Sequence, residues 1–180
     1  MPLRKALAYS KRHVTAFTRR SRSVKHLNYI KAVPQQKIVK FNMGNLGKFN
    51  KGEFKQIISL IACESVQIRD MSLEATRQFL NNRLGKLLMD NYALFCKAYP
   101  HQVIRENKTF SGGSKGERVQ SGMSHSFGTT MGRSAHVPKG KAIFIIAFSD
   151  KKDISPIRGL CKSVSPKLPC KCKIVYEEKK

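Results

Sequence analysis

No aspartate or glutamate occurs before Glu53, and the whole chain holds 11 acids against 35 lysines and arginines, a net charge of +24. A surface that basic is foreign to ordinary cytosolic enzymes and suits permanent contact with a polyanion. Long apolar runs are also missing. A bilayer-spanning helix needs roughly 20 apolar residues, and the longest clean run here is Ala142 to Phe148. The basic start lacks the apolar stretch of a secretory signal, although an arginine-rich start is shared with mitochondrial transit peptides. Cysteine is sparse and odd in number, at five. That count argues against a disulfide framework and for a reducing compartment, so the cytoplasm is expected.

The parts of a catalytic site are short as well. His101, His125 and His136 fall in the central region, with Ser124 and Ser126 flanking His125. A triad needs an orienting carboxylate, and the local acids, Glu106 and Glu117, both sit beside cations. A phosphate-binding Walker loop needs G-x-x-x-x-G-K-[ST] opening a helix; here Lys115 lies between Ser114 and Gly116, and no apolar helical run follows. Cys170 and Cys172 share one strand face, but zinc sites usually space paired cysteines two to four apart. Cys161 is the nearest upstream cysteine, and no second ligand pair exists. Free or buried thiols are expected, with no metal, no cofactor and no catalysis.

What the chain does hold is positive charge, glycine and one domain's worth of core. At 180 residues it is long enough for a proper core. Residues 1–34 read as a basic arm and 35–180 as one domain. The arm and the stretch after it carry Arg4, Lys5, Lys11, Arg12, Arg19, Arg20, Arg22, Lys25, Lys31, Lys37, Lys40, Lys48 and Lys51. Such a segment should not fold alone. Tyr9, Phe17 and Tyr29 are interleaved with the cations and can stack on unpaired bases, so an arm that orders on RNA is expected.

Within the domain, Lys37–Met43 and Phe54–Cys63 read as strands, with Asn42–Gly52 a loop. A helix is expected over Asp70–Met89, capped by Asp70 or Ser72. Its apolar stripe is Leu73, Thr76, Leu80, Leu84 and Leu87, widened by Phe79 and Leu88, with Glu74, Arg77, Gln78, Asn81, Asn82 and Lys86 opposite. Tyr92–Tyr99 and His101–Glu106 are extended runs broken at Pro100. Gly132–Val137 and Lys141–Phe148 flank a Pro138-Lys139-Gly140 turn. Ala142–Phe148 is apolar on both parities and is expected at the sheet centre. Ser155-Pro156 reads as a helix start, with Ile157, Leu160, Cys161 and Val164 as the apolar face. Cys172–Tyr176 is a closing strand. The order predicts an α+β fold, two helices packed on a mostly antiparallel sheet.

The chain is organised around Arg105–Val137. Glycines 112, 113, 116, 122, 128 and 132 leave few side chains to pack, and Lys108, Lys115, Arg118 and Arg133 are set among them. Glycine allows close backbone approach, and these cations select phosphate as the surface approached. A strand ending at Glu106 delivers this basic loop, about 107–122, to a fixed place.

These residues resemble the signature of a family. The order R-x-N-K (Arg105, Asn107, Lys108), glycine-rich loop, R-V-x-x-G-M (Arg118, Val119, Gly122, Met123), F-G (Phe127, Gly128) and G-x-x-A-x-V (Gly132, Ala135, Val137) carries the likeness. So do Y-P-H-x-V-x-R-E-N-K from Tyr99 to Lys108, K-I-x-x-F-x-M-G at Lys37 to Gly44 and L-E-A-x-R at Leu73 to Arg77. The pattern is similar to the universal large-ribosomal-subunit proteins called L-sixteen in bacteria and L-ten-e in archaea and eukaryotes. The ending Lys167–Val175, K-L-P-C-K-C-K-I-V, looks archaeal.

The resemblance implies an α/β hammerhead-type fold and a ribosomal role without catalysis. It implies binding to large-subunit rRNA and other large-subunit proteins, beside the A-site and P-site tRNAs, with no homo-oligomer. It also implies late joining of the maturing subunit. The rRNA-binding residues would be Arg4, Lys5, Lys11, Arg12, Arg19, Arg20, Arg22 and Lys25 of the arm, with Arg105, Asn107, Lys108, Arg118, Arg133 and Lys139 of the domain. The loop toward the peptidyl-transferase centre would be Lys108, Thr109, Phe110, Ser111, Gly112, Gly113, Ser114, Lys115, Gly116, Glu117 and Arg118.

The chain departs from the family pattern at several places. Thr109 stands for the usual Met, Ser114 to Arg118 for A-G-A-D-R, and Ser124 for Arg. Thr129-Thr130 replaces K-P, and Ser134 to Val137 replaces A-A-R-V. Two other readings meet the same composition: an RNA- or nucleotide-acting enzyme holding phosphate in the glycine loop, and a free basic protein that coats nucleic acid.

Overall fold

The computed structural model describes residues 4–11, 33–106 and 129–179. In chain order the elements are β1 (Asn42–Gly44), α1 (Leu46–Asn50), β2 (Gln56–Ala62), β3 (Val66–Arg69), α2 (Asp70–Leu88), β4 (Tyr92–Cys96), β5 (Gln102–Glu106), β6 (Thr129–Val137), β7 (Ala142–Phe148), α3 (Ile154–Val164) and β8 (Cys172–Glu178). The strands form two sheets, ordered β1-β4-β7-β2-β8 and β3-β6-β5. Every ladder among the described residues is antiparallel. The fold is α+β, as the sequence order predicts.

The two-sided strand β7 is central, with β4 and β2 on either side. One face of the large sheet presents Ile58, Leu60, Leu94, Phe144, Ile146 and Phe148 to Leu73, Leu80 and Leu84 of α2 and Ile157, Cys161 and Val164 of α3. The opposite face presents Ala93, Phe95 and Ala147, covered by Phe54 and by Leu46 and Phe49 of α1. Alternation along a strand sends neighbouring side chains to opposite faces, so β4 and β7 each feed both clusters. Val66, Ile68, Ala135 and Val137 of the small sheet join the main cluster. Both sheets therefore share a core under α2.

Several expectations change. A single sheet was expected across the Pro138-Lys139-Gly140 turn, but β6 and β7 belong to different sheets. The turn closes on itself through the Lys141 N–H and Pro138 carbonyl at 3.2 Å, and the Gly140 N–H is taken by Ala62 at 2.8 Å. Gly140 has φ +84, a conformation glycine adopts without strain. The strand expected over Lys37–Met43 shrinks to Asn42–Gly44. The Lys37 and Val39 N–H groups instead donate to the carboxylates of Asp70 and Glu74, at 3.2 and 3.4 Å, which removes them from any ladder. Inside the expected Asn42–Gly52 loop lies α1, capped by Asn45, whose side-chain oxygen accepts the Lys48 N–H at 3.0 Å. Strand β3, only four residues long, is an addition.

Helix α2 begins at Asp70, and Arg69 is its N-cap without a side-chain bond. Ser72 donates its hydroxyl to the Lys167 carbonyl rather than capping. Glu74, expected on the polar face, is buried, and Leu87, expected in the stripe, is exposed. The helix sits between the core and the segment 33–40, so a polar side chain at its start is enclosed. Helix α3 starts at Ile154, after a 3-10 turn at Lys151–Asp153, placing Ser155 inside it rather than at its cap.

Candidate nucleic-acid interface

Strands β5 and β6 pair along their length, and the rung nearest the glycine-rich segment joins Glu106 to Thr129. The Thr129 hydroxyl donates to the Glu106 carbonyl at 3.3 Å. Both ends of segment 107–128 are thereby fixed side by side on a rigid ladder. Just before this base the register shifts between Ile104 and Arg105. A bulge of this kind re-aims the side chains beside it, and Arg105 is one of them.

Against the base of this hairpin lies the start of the chain. The Arg4 guanidinium pairs with the Glu106 carboxylate, and also donates to the Tyr9 hydroxyl at 3.0 Å. It stands 5.5 Å from the Tyr9 ring centroid. Burial, then the Glu106 carboxylate, raises the Tyr9 pKa above its ordinary value. Residues 4–10 turn through Ala8 N–H to Lys5 and Ser10 N–H to Leu7, at 3.0 and 3.2 Å. This turn is fastened to β3. Arg69 donates to the carbonyls of Arg4 and Lys5 at 2.7 and 2.8 Å. Gln67 donates its N–H to Ser10 at 2.9 Å and its side-chain amide to Tyr9 at 3.2 Å.

Arg69 is 4% exposed. Its Nε and Nη1 have no hydrogen-bond partner among the described residues, and burial lowers its pKa from the ordinary arginine value. An arginine keeps its charge through such a shift, since its ordinary pKa is above about 12. Above it runs a groove of about 560 Å³ whose lining includes Arg4, Lys37, Arg69 and Lys167. Glu74, the one acid in that lining, is bound by Arg77 at 2.5 and 2.7 Å and by Gln78 at 2.9 Å. The Arg77 guanidinium holds its carboxyl below the usual range. The groove therefore presents net positive charge, the complement of a phosphate backbone.

The expected site residues divide three ways. Arg4, Lys5, Lys11, Arg105, Arg133 and Lys139 are described; Arg12, Arg19, Arg20, Arg22 and Lys25, with Asn107, Lys108 and the segment to Arg118, lie outside the described residues. Arg4 pairs with Glu106 at the hairpin base, and Arg105 precedes that glutamate on β5. Arg133 turns its Nε to the Pro34 carbonyl at 2.7 Å, pinning the segment that enters the domain, and Lys139 is exposed in the turn before β7. Sequence reasoning passed over Lys37, Arg69 and Lys167. No local signal marks them, because the groove joins residues far apart in sequence. Among the described residues no group of three His, Cys, Asp or Glu is placed to hold a metal. Glu106, the described acid nearest the histidines in sequence, is engaged by Arg4.

The ribosomal protein L16p/L10e family matches residues 14–175. A large ribosomal subunit protein uL16 of Methanococcus aeolicus is 36% identical over 179 residues, covering 97% of this chain and 94% of its own. That of Staphylothermus marinus is 36% identical over 180 residues, covering 98% and 95%. The Methanospirillum hungatei protein of the same name is 38% identical over 152 residues, covering 84% and 86%. The matches run through both sheets, both long helices and the segment between β5 and β6, and with them the chain belongs to the ribosomal protein L16p/L10e family.

Proposed function

We propose that the chain is a structural constituent of the large ribosomal subunit in the cytoplasm, not an enzyme, bound to large-subunit rRNA and neighbouring ribosomal proteins. The observation that carries the reading is the β5–β6 hairpin, whose paired end at Glu106 and Thr129 presents segment 107–128 from a rigid base. Its finer content is that this segment, about 107–122, extends toward the peptidyl-transferase centre beside the A-site and P-site tRNAs. Arg105, Asn107, Lys108 and Arg118 would hold it against rRNA. Residues 1–34 would act as a basic rRNA-binding arm on a single domain, 35–180, of the α/β hammerhead type.

Two features support contact with RNA. The groove at Arg4, Lys37, Arg69 and Lys167 has the charge for a phosphate backbone. The net charge of +24 comes from 35 lysines and arginines against 11 acids. Phosphate and shape contacts suffice for a protein used at one place on one RNA, so base readout is not required. Chemical footprinting of rRNA in subunits carrying the wild-type chain or the Lys108→Ala/Arg118→Ala variant tests the placement. Changed reactivity confined to the peptidyl-transferase region and the A-site tRNA path supports it. Changes only at distant helices would contradict it.

A further inference from the structure

Three of the five cysteines meet where β2 and β8 end together. The sulfurs of Cys170 and Cys172 stand 3.7 Å apart, and the Cys172 thiol also donates to the Cys170 carbonyl at 3.6 Å. Exposed Cys63 donates its backbone N–H at 3.0 Å to Lys171, the residue between them. The pair is placed by the chain itself, because residues two apart at a strand start point to the same face.

The other two thiols differ. Cys170 is buried too, but with Cys172 beside it; Cys96 and Cys161 are buried singly, and burial pushes each up to about 11, so both stay protonated at neutral pH. The Cys172 thiol beside it lowers the Cys170 pKa against the opposing effect of burial. A groove of about 590 Å³ has Cys170 in its lining, with Lys5, Leu7, Glu64 and Lys171 among others.

We propose that Cys170 and Cys172 form a peroxide-sensitive dithiol that closes to an intrachain disulfide. The Cys170 thiolate attacks one oxygen of hydrogen peroxide and the O–O bond breaks. Sulfur keeps a hydroxyl as sulfenic acid, and the hydroxide released becomes water. The Cys172 sulfur, giving up its proton, then attacks the Cys170 sulfur. The S–O bond breaks, and the hydroxide that leaves takes up the proton as a second water. Two electrons pass from the two thiols to the peroxide. Cys172 is held in the ladder opposite Ala62, whereas Cys170 lies before β8 and can swing the distance needed to reach a bond of about 2.05 Å. The small ring is strained, so thiols reduce it readily and the dithiol is its resting form.

The test uses the full-length reduced chain exposed to hydrogen peroxide, then unfolded, alkylated and digested with trypsin. The free-thiol count should fall by two from the five. Cleavage after Lys171 should leave the Cys170 and Cys172 peptides joined until dithiothreitol parts them. Cys172→Ser should lose the bond and accumulate dimedone-reactive sulfenic acid at Cys170, while Cys63→Ser should keep the bond. A bond mapped to Cys63 overturns the proposal, as does wild-type oxidation that ends at sulfonic acid on separate peptides. Unmodified Cys170 and Cys172 at a peroxide dose that oxidises Cys63 also overturns it.

Discussion

Glu106 and Thr129 face each other at the last described rung of the β5–β6 ladder, and the Thr129 hydroxyl bonds back to the Glu106 carbonyl at 3.3 Å. Twenty-two residues of sequence, 107–128, therefore begin and end at one point on the body of the protein. Two neighbouring groups mark that point as basic: Arg105 on the same strand and Arg4, which pairs with Glu106.

Neutralising charge beyond this base should separate function from folding. Lys108 and Arg118 lie outside the described residues; if they serve RNA rather than the core, as proposed, Lys108→Ala/Arg118→Ala should leave the unfolding free energy within about 0.5 kcal/mol of wild type. Growth on the variant as sole copy, and the yield of mature large subunits, should both fall. Thermal melts and subunit profiles check the two halves. A large stability loss would contradict the assignment.

Arg69 should matter locally more than globally. Arg69→Met removes the donors to Arg4 and Lys5 but also removes a buried guanidinium with unmatched N–H groups. Charge-assisted hydrogen bonds contribute about 1.5–3 kcal/mol each, while replacing a buried charge by an apolar side chain is often neutral or stabilising. The expected result is fast amide exchange at residues 4–11 and at Gln67, with a change in global stability below about 1.5 kcal/mol. Hydrogen-exchange mass spectrometry of the peptides covering 4–11 and 66–69 reads this directly.

The Glu74–Arg77 pair gives a pH signature. Arg77 depresses the Glu74 carboxyl in the folded state, so its stabilisation is full above the unfolded carboxylate pKa and is lost as pH falls through the folded value. Asp70 has the opposite sign: burial outweighs the N–H groups of Met71, Lys37 and Arg133 and raises its pKa, so its ionisation penalty is relieved on acidification. Glu74→Gln should cost about 1–3 kcal/mol at neutral pH. The gap from wild type should close below the folded Glu74 pKa, while Asp70→Asn should not reproduce that closing gap. Urea melts from neutral pH into the acid range test both signs.

Gly44 and Gly52 give a controlled comparison of space with backbone strain. Both have positive φ, +82 and +80. A Cβ at Gly44 would lie 2.3 Å from the Tyr92 carbonyl oxygen, whereas at Gly52 nothing lies within 4 Å. Gly52→Ala should cost about 1–2 kcal/mol from left-handed strain alone. Gly44→Ala should add the clash and cost about 3 kcal/mol or more. Differential thermal unfolding of the two variants measures the difference.

Much of this fold is written in local pattern. The spacing of Leu73, Leu80 and Leu84 makes α2, and the double-sided run Ala142–Phe148 makes the central strand, because each pattern is decided by burial on one or two faces. What escaped is decided by distant partners. The extended segment before β1 reads as a strand until Asp70 and Glu74 claim its N–H groups, and Glu74 reads as a surface residue until that segment covers it. Arg69 looks like one cation among many; only the packed turn at 4–10 gives its guanidinium a purpose. Strand β3 is too short for alternation to register. At the candidate site, the cations set among glycines 112–128 lie outside the described residues, whereas the groove at Lys37, Arg69 and Lys167 joins residues far apart in sequence.

The central claim is that this chain is built into the large ribosomal subunit. Its most direct test is sedimentation of a native lysate on density gradients at moderate and high salt, with quantitative blotting for the protein. The account predicts near one-to-one recovery with the large subunit at both salt levels, because an integral protein is held by enclosed contacts as well as by screened charge. Recovery at the top of the gradient, or release at modest salt, would contradict it and return the chain to the class of loosely bound basic proteins.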